Sequence, residues 1–426
     1  MERADRVTRD TAKTGILPSM FRASTPPARP DRVRGIPVPP PRTAIAFGVA
    51  PASRLYWLML VSLLTFVAVT GCGRRGDDVL LWQEGTGTGA GIATPTPEPS
   101  ASVGAGGAVS ISATGDIVMG NAPDQLPPED GVGFFDSVKE ALAADLVTGN
   151  LEQPLTDDTG TTKCEPDAEH CHQFRAPPHY AAHLRDAGFT LLNQANNHGH
   201  DFGPAGFRNT QTALEAHGIH YTGAAGQITV VEAGKVRVAV VGFSPYAGTN
   251  SVVDIPAAKR LIQEATTKAD LVVVHAHMGA EGADKTQVRP GTEMFLGENR
   301  GDPIAFSRAV VDAGADLVIG HGPHVLRGME FYKGRLIAYS LGNFAGGGRT
   351  LSNRGPLGLG GVLRVALAAD GSWVSGQFVS TYMDDLGRPT IDHDGRALKL
   401  LRELSEADFP TSAPRFAEDG TISPAR

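Results

Sequence analysis

The sequence predicts an α/β sandwich with buried sheets, and three observations lead to that fold class. From about Val109, short apolar segments alternate with helical stretches, which is typical of layered α/β folds. The apolar segments carry almost no charge, as expected of strands that are covered on both faces. Beyond His324 the pattern changes to strands alone, separated by glycine-containing turns.

The alternating region contains the elements that would form the parallel part of the sheets. Strands are predicted at 109–114, 145–149, 189–193, 236–243, 271–276 and 316–320. Helices are predicted at 134–143, 178–187, 204–217, 255–268 and 303–314. Pro204 and Pro303 support two of the helix starts, because proline suits the first turn of a helix.

The remaining strands are predicted as two hairpins that complete the sheets. Lys333-Gly334 and Asp370-Gly371 are turn dipeptides. They join the segments 325–331 to 335–339 and 361–368 to 373–381. We therefore predict one α/β domain over 108–400, followed by a polar tail over 401–426.

Residues 1–72 are predicted to be an N-terminal extension that ends in a signal segment for export. The run from Leu55 to Thr70 is uncharged and mostly apolar, and it has about the length of a signal-peptide core. Val69-Thr70-Gly71-Cys72 resembles the bacterial lipobox, in which the cysteine is acylated. An ordinary short membrane anchor is the alternative. Both interpretations predict an extracytoplasmic body held at the cell membrane, in the first case as a lipoprotein.

The segment 73–107 is predicted to be a flexible linker. From Glu84 to Gly107 it consists largely of Gly, Thr, Ala, Pro and Ser. Such a composition buries too little apolar surface to form a core. It would let a membrane-anchored domain stand away from the bilayer.

The charge of the chain is unevenly distributed. Residues 1–75 hold 12 Lys/Arg and 4 Asp/Glu, and the remainder holds 26 and 42, so the body carries −16 within a total of −8. An acidic body disfavours contact with a phosphate backbone. The sequence therefore predicts no nucleic-acid partner.

Two cysteines besides Cys72 lie close together in a polar stretch. In an oxidising compartment, Cys164 and Cys171 predict a local disulfide. A metal site built from the two cysteines with His170 and His172 is the alternative.

Acid, amide and imidazole side chains follow five of the predicted strands at the point where each strand ends. They are Asp116, Glu152, Asn197, His277, His321 and His324. In layered α/β folds, ligands bind beyond the carboxyl ends of the strands. Hard or borderline metal ions prefer this mixture of ligands. The sequence therefore predicts a site for one or two divalent metal ions, with His198 as a general acid or base beside it.

Each candidate also has a purely structural explanation. Asp116 could cap a helix, and Asn197 could form a turn. Glu152 could be a solvated loop carboxylate. His275 and His277 share one face of a strand, so either could be a histidine of the core. The later histidines could be simple loop residues.

Seven motifs occur in an order that resembles a known family. They are Gly115-Asp116, Gly149-Asn-Leu-Glu152, Phe174-Arg-Ala-Pro-Pro178, Ala195-Asn-Asn-His198 with Asp201, His277-Met-Gly-Ala-Glu281, Gly320-His-Gly-Pro-His324 and Tyr339-Ser-Leu-Gly-Asn-Phe344. Over about residues 108–390 this order is similar to the bacterial capsule synthesis protein family, also called the CapA or poly-γ-glutamate synthesis family. That family resembles the calcineurin-like metallophosphoesterases, which implies a four-layer αββα sandwich with a two-metal site.

The resemblance also implies roles for single residues. Asp116 matches the aspartate of the first metallophosphoesterase motif, and Glu152 takes the place of the bridging acid. Asn197 and His198 match a metal ligand and the catalytic histidine. The later metal histidines correspond to His277, His321 and His324.

We add four residues from the same motifs or next to them. His275 is an additional histidine that we assign to the metal set. Arg175, Asn196 and Asn343 are assigned to substrate binding.

Three departures from the metallophosphoesterase and family patterns bear on turnover. Val118 stands where the first metallophosphoesterase motif has a histidine ligand. Pro323 is inserted into the last motif and shifts His324, and Met278 replaces a tryptophan common in the capsule family. A one-metal site, or a site that binds without turnover, is therefore an alternative.

Three functions remain open from the sequence. The first is an extracytoplasmic metal-dependent hydrolase of a phosphoester or of a γ-linked glutamate polymer. The second is a non-catalytic capsule factor that holds an anionic surface polymer through a metal and works with other capsule-synthesis proteins. The third is a purely structural lipoprotein. Since an acidic body repels polyglutamate, binding would need local compensation from Arg175, Arg327, Lys333 or the metal.

Overall fold

The computed structural model describes residues 107–425 apart from 166, 167, 169 and 170. The predicted signal segment, Cys72 and nearly all of the linker lie outside the described residues, as does His170. No helix in the described part is both long enough and apolar enough to cross a bilayer.

The strands are numbered β1 to β19 in chain order. They are β1 (Ala108–Val118), β2 (Leu146–Leu151), β3 (Leu191–Asn193), β4 (His220–Thr222), β5 (Thr229–Ala233), β6 (Val236–Ser244), β7 (Asn250–Ser251), β8 (Leu271–His277), β9 (Met294–Phe295), β10 (Glu298–Asn299), β11 (Leu317–His321), β12 (Leu326–Tyr332), β13 (Arg335–Leu341), β14 (Asn343–Gly346), β15 (Leu359–Ala368), β16 (Trp373–Met383), β17 (Pro389–Ile391), β18 (Arg415–Phe416) and β19 (Ile422–Ser423). The α-helices are α1 (Lys139–Leu142), α2 (Ala181–Ala187), α3 (Gly203–Ala216), α4 (Ile255–Thr266), α5 (Pro303–Asp312) and α6 (Arg396–Asp408).

Two large sheets contain most of these strands. The first sheet has the order β17-β16-β15-β1-β2-β3-β4, with β14 also beside β1. The second has the order β12-β13-β11-β8-β6-β5, with β7 beside β6. In each sheet the central strands run parallel. Antiparallel strands extend the first sheet at one side and the second sheet at both sides. This agrees with the predicted change from alternating elements to strands alone.

The two sheets pack face to face, and helices cover their outer faces. Ile111 of β1 and Val273 of β8 belong to one buried cluster between the sheets. Leu184 of α2 packs in a second cluster on the outer face of the first sheet. Ile262 of α4 packs in a third on the outer face of the second. The predicted four-layer αββα sandwich of the calcineurin-like metallophosphoesterase type is confirmed.

The face that each strand turns toward the other sheet changes from apolar to polar along the strand. On β8, Leu271 and Val273 lie in the core between the sheets, and His275 and His277 continue the same face because side chains alternate with period two. The same succession occurs through Leu146, Thr148 and Asn150 on β2 and through Leu317, Ile319 and His321 on β11. The carboxyl ends of the strands therefore place polar groups inside the sandwich.

Two predicted elements are wrong. Residues 401–426 are not a polar tail, because α6 continues to Asp408 and buries Leu401 and Leu404 against the sheets. The spacing of these leucines gives α6 an apolar face. The composition of the segment does not reveal this face, because the helix also contains many charged residues. The helix predicted at 134–143 is formed only at 139–142, since Gly131 and Gly133 start a series of turns before it.

Candidate metal centre

Three buried side chains from both sheets meet at one end of the sandwich. Asp116 lies near the end of β1, Glu152 directly follows β2, and His277 ends β8. One ligand atom from each lies within 4.8 Å of the other two. All three residues are inaccessible to solvent. A carboxylate pair with an imidazole is a ligand set for a borderline or hard divalent cation.

Asp116 is positioned by a glycine. A Cβ atom at Gly115 would collide with the carbonyl oxygen of Gly342, so only glycine allows β1 and β14 to approach this closely. The amide of Asp116 then donates to that same carbonyl over 3.0 Å. Its carboxylate accepts a hydrogen bond of 2.8 Å from Asn150 Nδ2. Burial acts to raise the pKa of Asp116, but His324 at 3.3 Å lowers it well below its ordinary value.

Glu152 shows most directly that the site suits a cation. Both of its carboxylate oxygens are buried, and neither has a hydrogen-bond partner among the described residues. Its Oε1 lies 3.9 Å from His277 Nε2 and 3.6 Å from His324 Nε2. Burial and the neighbouring charge of Asp116 raise the pKa of Glu152 well above its ordinary value. A buried carboxylate in this state costs free energy, and a metal ion would remove that cost.

Two further predicted ligands each have a side-chain atom that lacks a partner. Asn197 Oδ1 and His321 Nδ1 are buried without a hydrogen bond within the part of the chain that the structure describes. Lys163 donates to the carbonyl oxygen of Asn197 over 3.0 Å, which fixes the backbone there. His321 lies beside His277 on the neighbouring strand. Both residues belong to the predicted ligand set.

His275 lies behind His321, and both of its ring nitrogens are engaged. His275 Nδ1 is 2.7 Å from His321 Nε2, and His275 Nε2 is 2.9 Å from Thr148 Oγ1. If His321 Nε2 carries the proton, it donates a hydrogen bond to His275 Nδ1. His275 Nε2 then donates a hydrogen bond to Thr148 Oγ1. That chain leaves the lone pair of His321 Nδ1 free for a ligand. Thus His275 supports His321 and does not itself offer a ligand atom, which differs from the predicted assignment.

His324 reaches the site despite the inserted Pro323. The backbone of His324 adopts a left-handed conformation with φ of 61°, which turns the ring back toward the strand ends. Asn343 Nδ2 donates to Leu357, so Asn343 Oδ1 accepts the 2.8 Å bond from His324 Nδ1. His324 Nε2 then faces Glu152. Burial acts to lower the pKa of His324, but Glu152 and Asp116 raise it well above its ordinary value.

Val118 offers no ligand in this arrangement. It is completely buried near the end of β1, where its backbone pairs with Gly346 of β14. The first motif therefore offers Asp116 alone, and the candidate nitrogen ligands are histidines of the second sheet.

His198 is oriented by an aspartate. Its Nδ1 lies 2.7 Å from Asp201 Oδ2, so the ring donates from Nδ1 and keeps Nε2 for another partner. Phe174 packs against the ring, with the centroids 4.5 Å apart. Burial lowers the pKa of His198, while the charge of Asp201 acts to raise it. A neutral imidazole with one free nitrogen can accept a proton.

His198 and His324 open onto one cleft of about 330 Å³. Its walls also include Glu281, Phe174 and Asn343. Of the predicted metal ligands, His324 therefore lines this cleft, with His198 on the same wall.

The three predicted substrate-binding residues lie in three different surroundings, and one of them lines the cleft. Asn343 lines the cleft. Asn196 is buried, donates to Asn150 Oδ1 and Leu151, and accepts from the amide of His198, so it holds the loop rather than facing the cleft. Arg175 is half-buried with its guanidinium over the ring of Phe202, 5.4 Å from the centroid.

Arg300 is the functional candidate that the sequence did not reveal. Its guanidinium is buried, with Nη2 at 3.2 Å from His277 Nε2 and Nη1 at 2.8 Å from the hydroxyl oxygen of Tyr246. Nη1 also donates to Glu281. The only signal was the long glycine-containing segment 278–302, since loops of that length are often functional.

Cys164 and Cys171 form a disulfide with their Cα atoms 5.6 Å apart. The loop that they close leads to Phe174, whose amide donates to Asp201 Oδ2 over 2.8 Å. Asp201 also lies 3.1 Å from the ammonium of Lys163. The disulfide loop therefore borders the support of His198.

The fold and the strand-end cluster define a metallophosphoesterase-like αββα protein. The family model "Bacterial capsule synthesis protein PGA_cap" matches residues 110–347. This chain belongs to that family.

Known proteins resemble the chain at the level of sequence and of fold. It is 30% identical over 255 residues to "PGA biosynthesis protein CapA" of Bacillus subtilis strain 168, covering 55% of this chain and 63% of that protein. It is 32% identical over 260 residues to "Capsule biosynthesis protein CapA" of Bacillus anthracis, covering 55% and 59%. The chain therefore matches less than two thirds of these relatives. The 5'-nucleotidase precursor from Thermus thermophilus has a TM-score of 0.36 at 14% identity, over 71% of this chain and 59% of that one.

Proposed function

We propose that this protein acts in the synthesis, export or anchoring of an anionic surface polymer such as poly-γ-glutamate, through a metal-dependent hydrolase-type site. The family and the names of the two Bacillus relatives support the polymer. The observation that carries the site is Glu152, whose two buried oxygens lack partners among the described residues beside Asp116 and His277.

The ligand set would consist of residues from both sheets. Asp116, Glu152 and Asn197 would provide oxygen ligands, and His277, His321 and His324 would provide nitrogen ligands. A divalent ion bound there supplies Lewis-acid activation of water and of a phosphoryl or carbonyl oxygen.

His198 would move the proton. Because Asp201 holds Nδ1–H, Nε2 of His198 is the atom that faces a bound polymer at the wall of the cleft. From there it can donate to a leaving group or accept from water. Asn343 would orient the substrate indirectly, since it holds His324 at the other side of the cleft.

The proposed location is the outer face of the cell membrane. Cys72 would carry the lipid, and the 73–107 linker would let the domain reach the polymer and other capsule-synthesis proteins. Cys72→Ser should release the protein from membranes, as seen by fractionation. Retention of this variant would instead favour an uncleaved membrane anchor.

The metal site is tested with Glu152→Gln. We expect the affinity for Mn²⁺ or Zn²⁺ to fall about 100-fold or more. Even substitution of a residue that only supports a metal ligand lowers metal affinity by about 10–100-fold. The metal-free protein should lose less than about 1 kcal/mol of stability, because no hydrogen bond of the carboxylate is removed. Titration calorimetry and thermal unfolding measure the two effects. The control is Glu232→Gln on the exposed side of β5, and equal metal affinity in both variants would contradict the proposal.

A non-catalytic, metal-bridged scaffold is the second candidate. Two observations favour it, because each leaves fewer ligands than a two-metal hydrolase would need. Arg300 Nη2 lies 3.2 Å from His277 Nε2, where it would compete with the second of two cations, and Val118 replaces one expected ligand. Assays on an aryl phosphate and on poly-γ-glutamate separate the candidates. A wild-type protein that binds metal and cleaves neither, with His198→Gln indistinguishable from it, would favour the scaffold.

A further inference from the structure

A second cavity of about 570 Å³ lies next to the cleft of the candidate metal centre. Leu351 and Ser352 line both cavities, so the two cavities adjoin at these residues. The second cavity is also lined by Arg349, Arg354 and Asp385. Its two arginines therefore lie next to the cleft onto which His198 and His324 open.

The two arginines are exposed and carry free charge. Arg349 uses only Nε for an internal bond, to the carbonyl oxygen of Asp385 over 3.0 Å. Neither arginine forms an ion pair within the described residues, whereas nearby Arg388 pairs with Asp384 at 2.8 Å. Two guanidinium groups against one lining carboxylate, Asp385, leave the groove locally basic on an acidic body.

The backbone holds this wall in place. Asn353 Nδ2 donates to the carbonyl oxygen of Asp384, and the amide of Gly346 donates to Gly387. Arg349 itself has φ of 63°, a left-handed conformation that is unfavourable for a residue with a Cβ atom. Strained residues of this kind cluster where a ligand is bound. Thus the loop keeps an arginine where glycine would be more stable.

The basic residues expected from the sequence to meet a polyanion are engaged elsewhere. Arg327 is buried and makes two bonds of 2.9 Å to Glu293. Lys333 pairs with Asp312 at 2.6 Å. Arg175 stacks on Phe202. The positive charge available beside the cleft therefore comes from the loop that follows β14.

We propose that Arg349 and Arg354 form an anion-binding subsite that holds a polycarboxylate chain while one of its units occupies the cleft. The inference rests on the proposed function for the polymer, and it adds where the polymer binds. Guanidinium groups pair with carboxylates in bidentate geometry, and successive carboxylates of one chain would engage both arginines. The subsite provides the attraction that the acidic body lacks.

The test measures binding of fluorescent poly-γ-glutamate to the full-length protein in detergent by anisotropy at low salt. We expect the double variant Arg349→Gly with Arg354→Gln to bind about 5-fold more weakly or worse, since exposed ion pairs are individually weak. Raising the salt should reduce the difference. The matched control is Arg260→Gln, an exposed arginine on α4. Thermal unfolding should show no loss of stability in Arg349→Gly, because glycine tolerates the left-handed backbone.

A parallel Mn²⁺ titration separates this subsite from the metal centre. Weaker polymer binding with unchanged Mn²⁺ affinity supports the subsite. Unchanged polymer binding in the double variant, or no binding by the wild type, overturns it and leaves the metal proposal intact. A wild type without Mn²⁺ affinity but with arginine-dependent binding supports the subsite and overturns the metal centre. Equal affinity for polyphosphate of the same charge overturns the assignment to a polycarboxylate.

Discussion

The two sheets contribute chemically different halves of the candidate site. The first sheet provides oxygen groups, namely Asp116, Glu152 and the amide of Asn197 after β3. The second sheet provides imidazoles, of which His277 ends β8 and His321 ends β11. Each half is formed by strand ends within one sheet. The halves meet only because the sheets pack face to face.

The two halves also differ in how far their polar atoms are hydrogen-bonded. Asp116 is bonded, but Glu152 has no partner for either oxygen in the described chain. In the second sheet, His275 supports His321, and Arg300 lies against His277. The acid half therefore contains buried oxygen atoms without partners in the described chain, while the imidazole half is already oriented by neighbours. The difference suggests that metal affinity depends on the acids for charge and on the histidines for geometry.

The largest expected effect comes from creating a cavity in the core between the two sheets. Ile319→Ala should destabilise the protein by about 2–5 kcal/mol, because Ile319 is buried between the sheets two residues before His321. It should also weaken metal binding, since the cavity lets the imidazole half shift relative to the acids. Thermal unfolding and calorimetry measure both quantities.

The control for this experiment is Leu184→Ala in α2, which is equally buried but lies beneath the outer helices. It should lose similar stability with little change in metal affinity. If both variants lost metal affinity alike, packing between the sheets would have no special role in the site.

The next effect tests the support of the imidazole half. His275→Leu should lower metal affinity by about 10–100-fold, because His321 Nε2 loses its partner and the ring its orientation. His275→Gln should recover most of the loss, since an amide can accept from His321 and donate to Thr148. Both are compared by Mn²⁺ titration with His393→Gln, an exposed histidine. If His275→Gln bound Mn²⁺ as weakly as His275→Leu, the support of His321 by a hydrogen bond from this position would be contradicted.

The smallest effect has the opposite sign. Arg300→Gln should raise metal affinity a few-fold, because it removes a positive charge 3.2 Å from His277 Nε2. Glu281, which loses its partner, is partly exposed and can be hydrated. Arg335→Gln, which breaks an ion pair with Asp316, should leave the affinity unchanged. A lower affinity in Arg300→Gln would show that Arg300 assists the site instead of competing for it.

Much of the fold was predictable because its signals are local. Alternating apolar runs gave the central strands of both sheets, and the turn dipeptides gave both hairpins. The predicted tail failed because the apolar face of α6 is short and interrupted by charges. Its burial depends on β12 and β16, which no window of the sequence brings next to it.

The candidate site was predictable in its members and less so in their arrangement. Strand-end position marked Asp116, Glu152 and the histidines, since carboxyl ends of parallel strands meet at one edge. It did not separate His275, whose nitrogens are engaged, from His277 on the same face. Arg300 arrives from a loop, where no periodicity indicates the direction of a side chain.

The sequence by itself determined the family, the order of the strands along the chain and the set of metal-competent groups. These follow from short motifs and from periodicities of two and 3.6 residues, which depend on neighbours in the chain. The tertiary structure alone decided that the acids of one sheet face the histidines of the other. It also decided that Glu152 lacks a partner in the described chain and that Arg349 and Arg354 line a cavity next to the cleft. Burial and electrostatic fields depend on groups far apart in sequence, so they exist only once the sheets have packed.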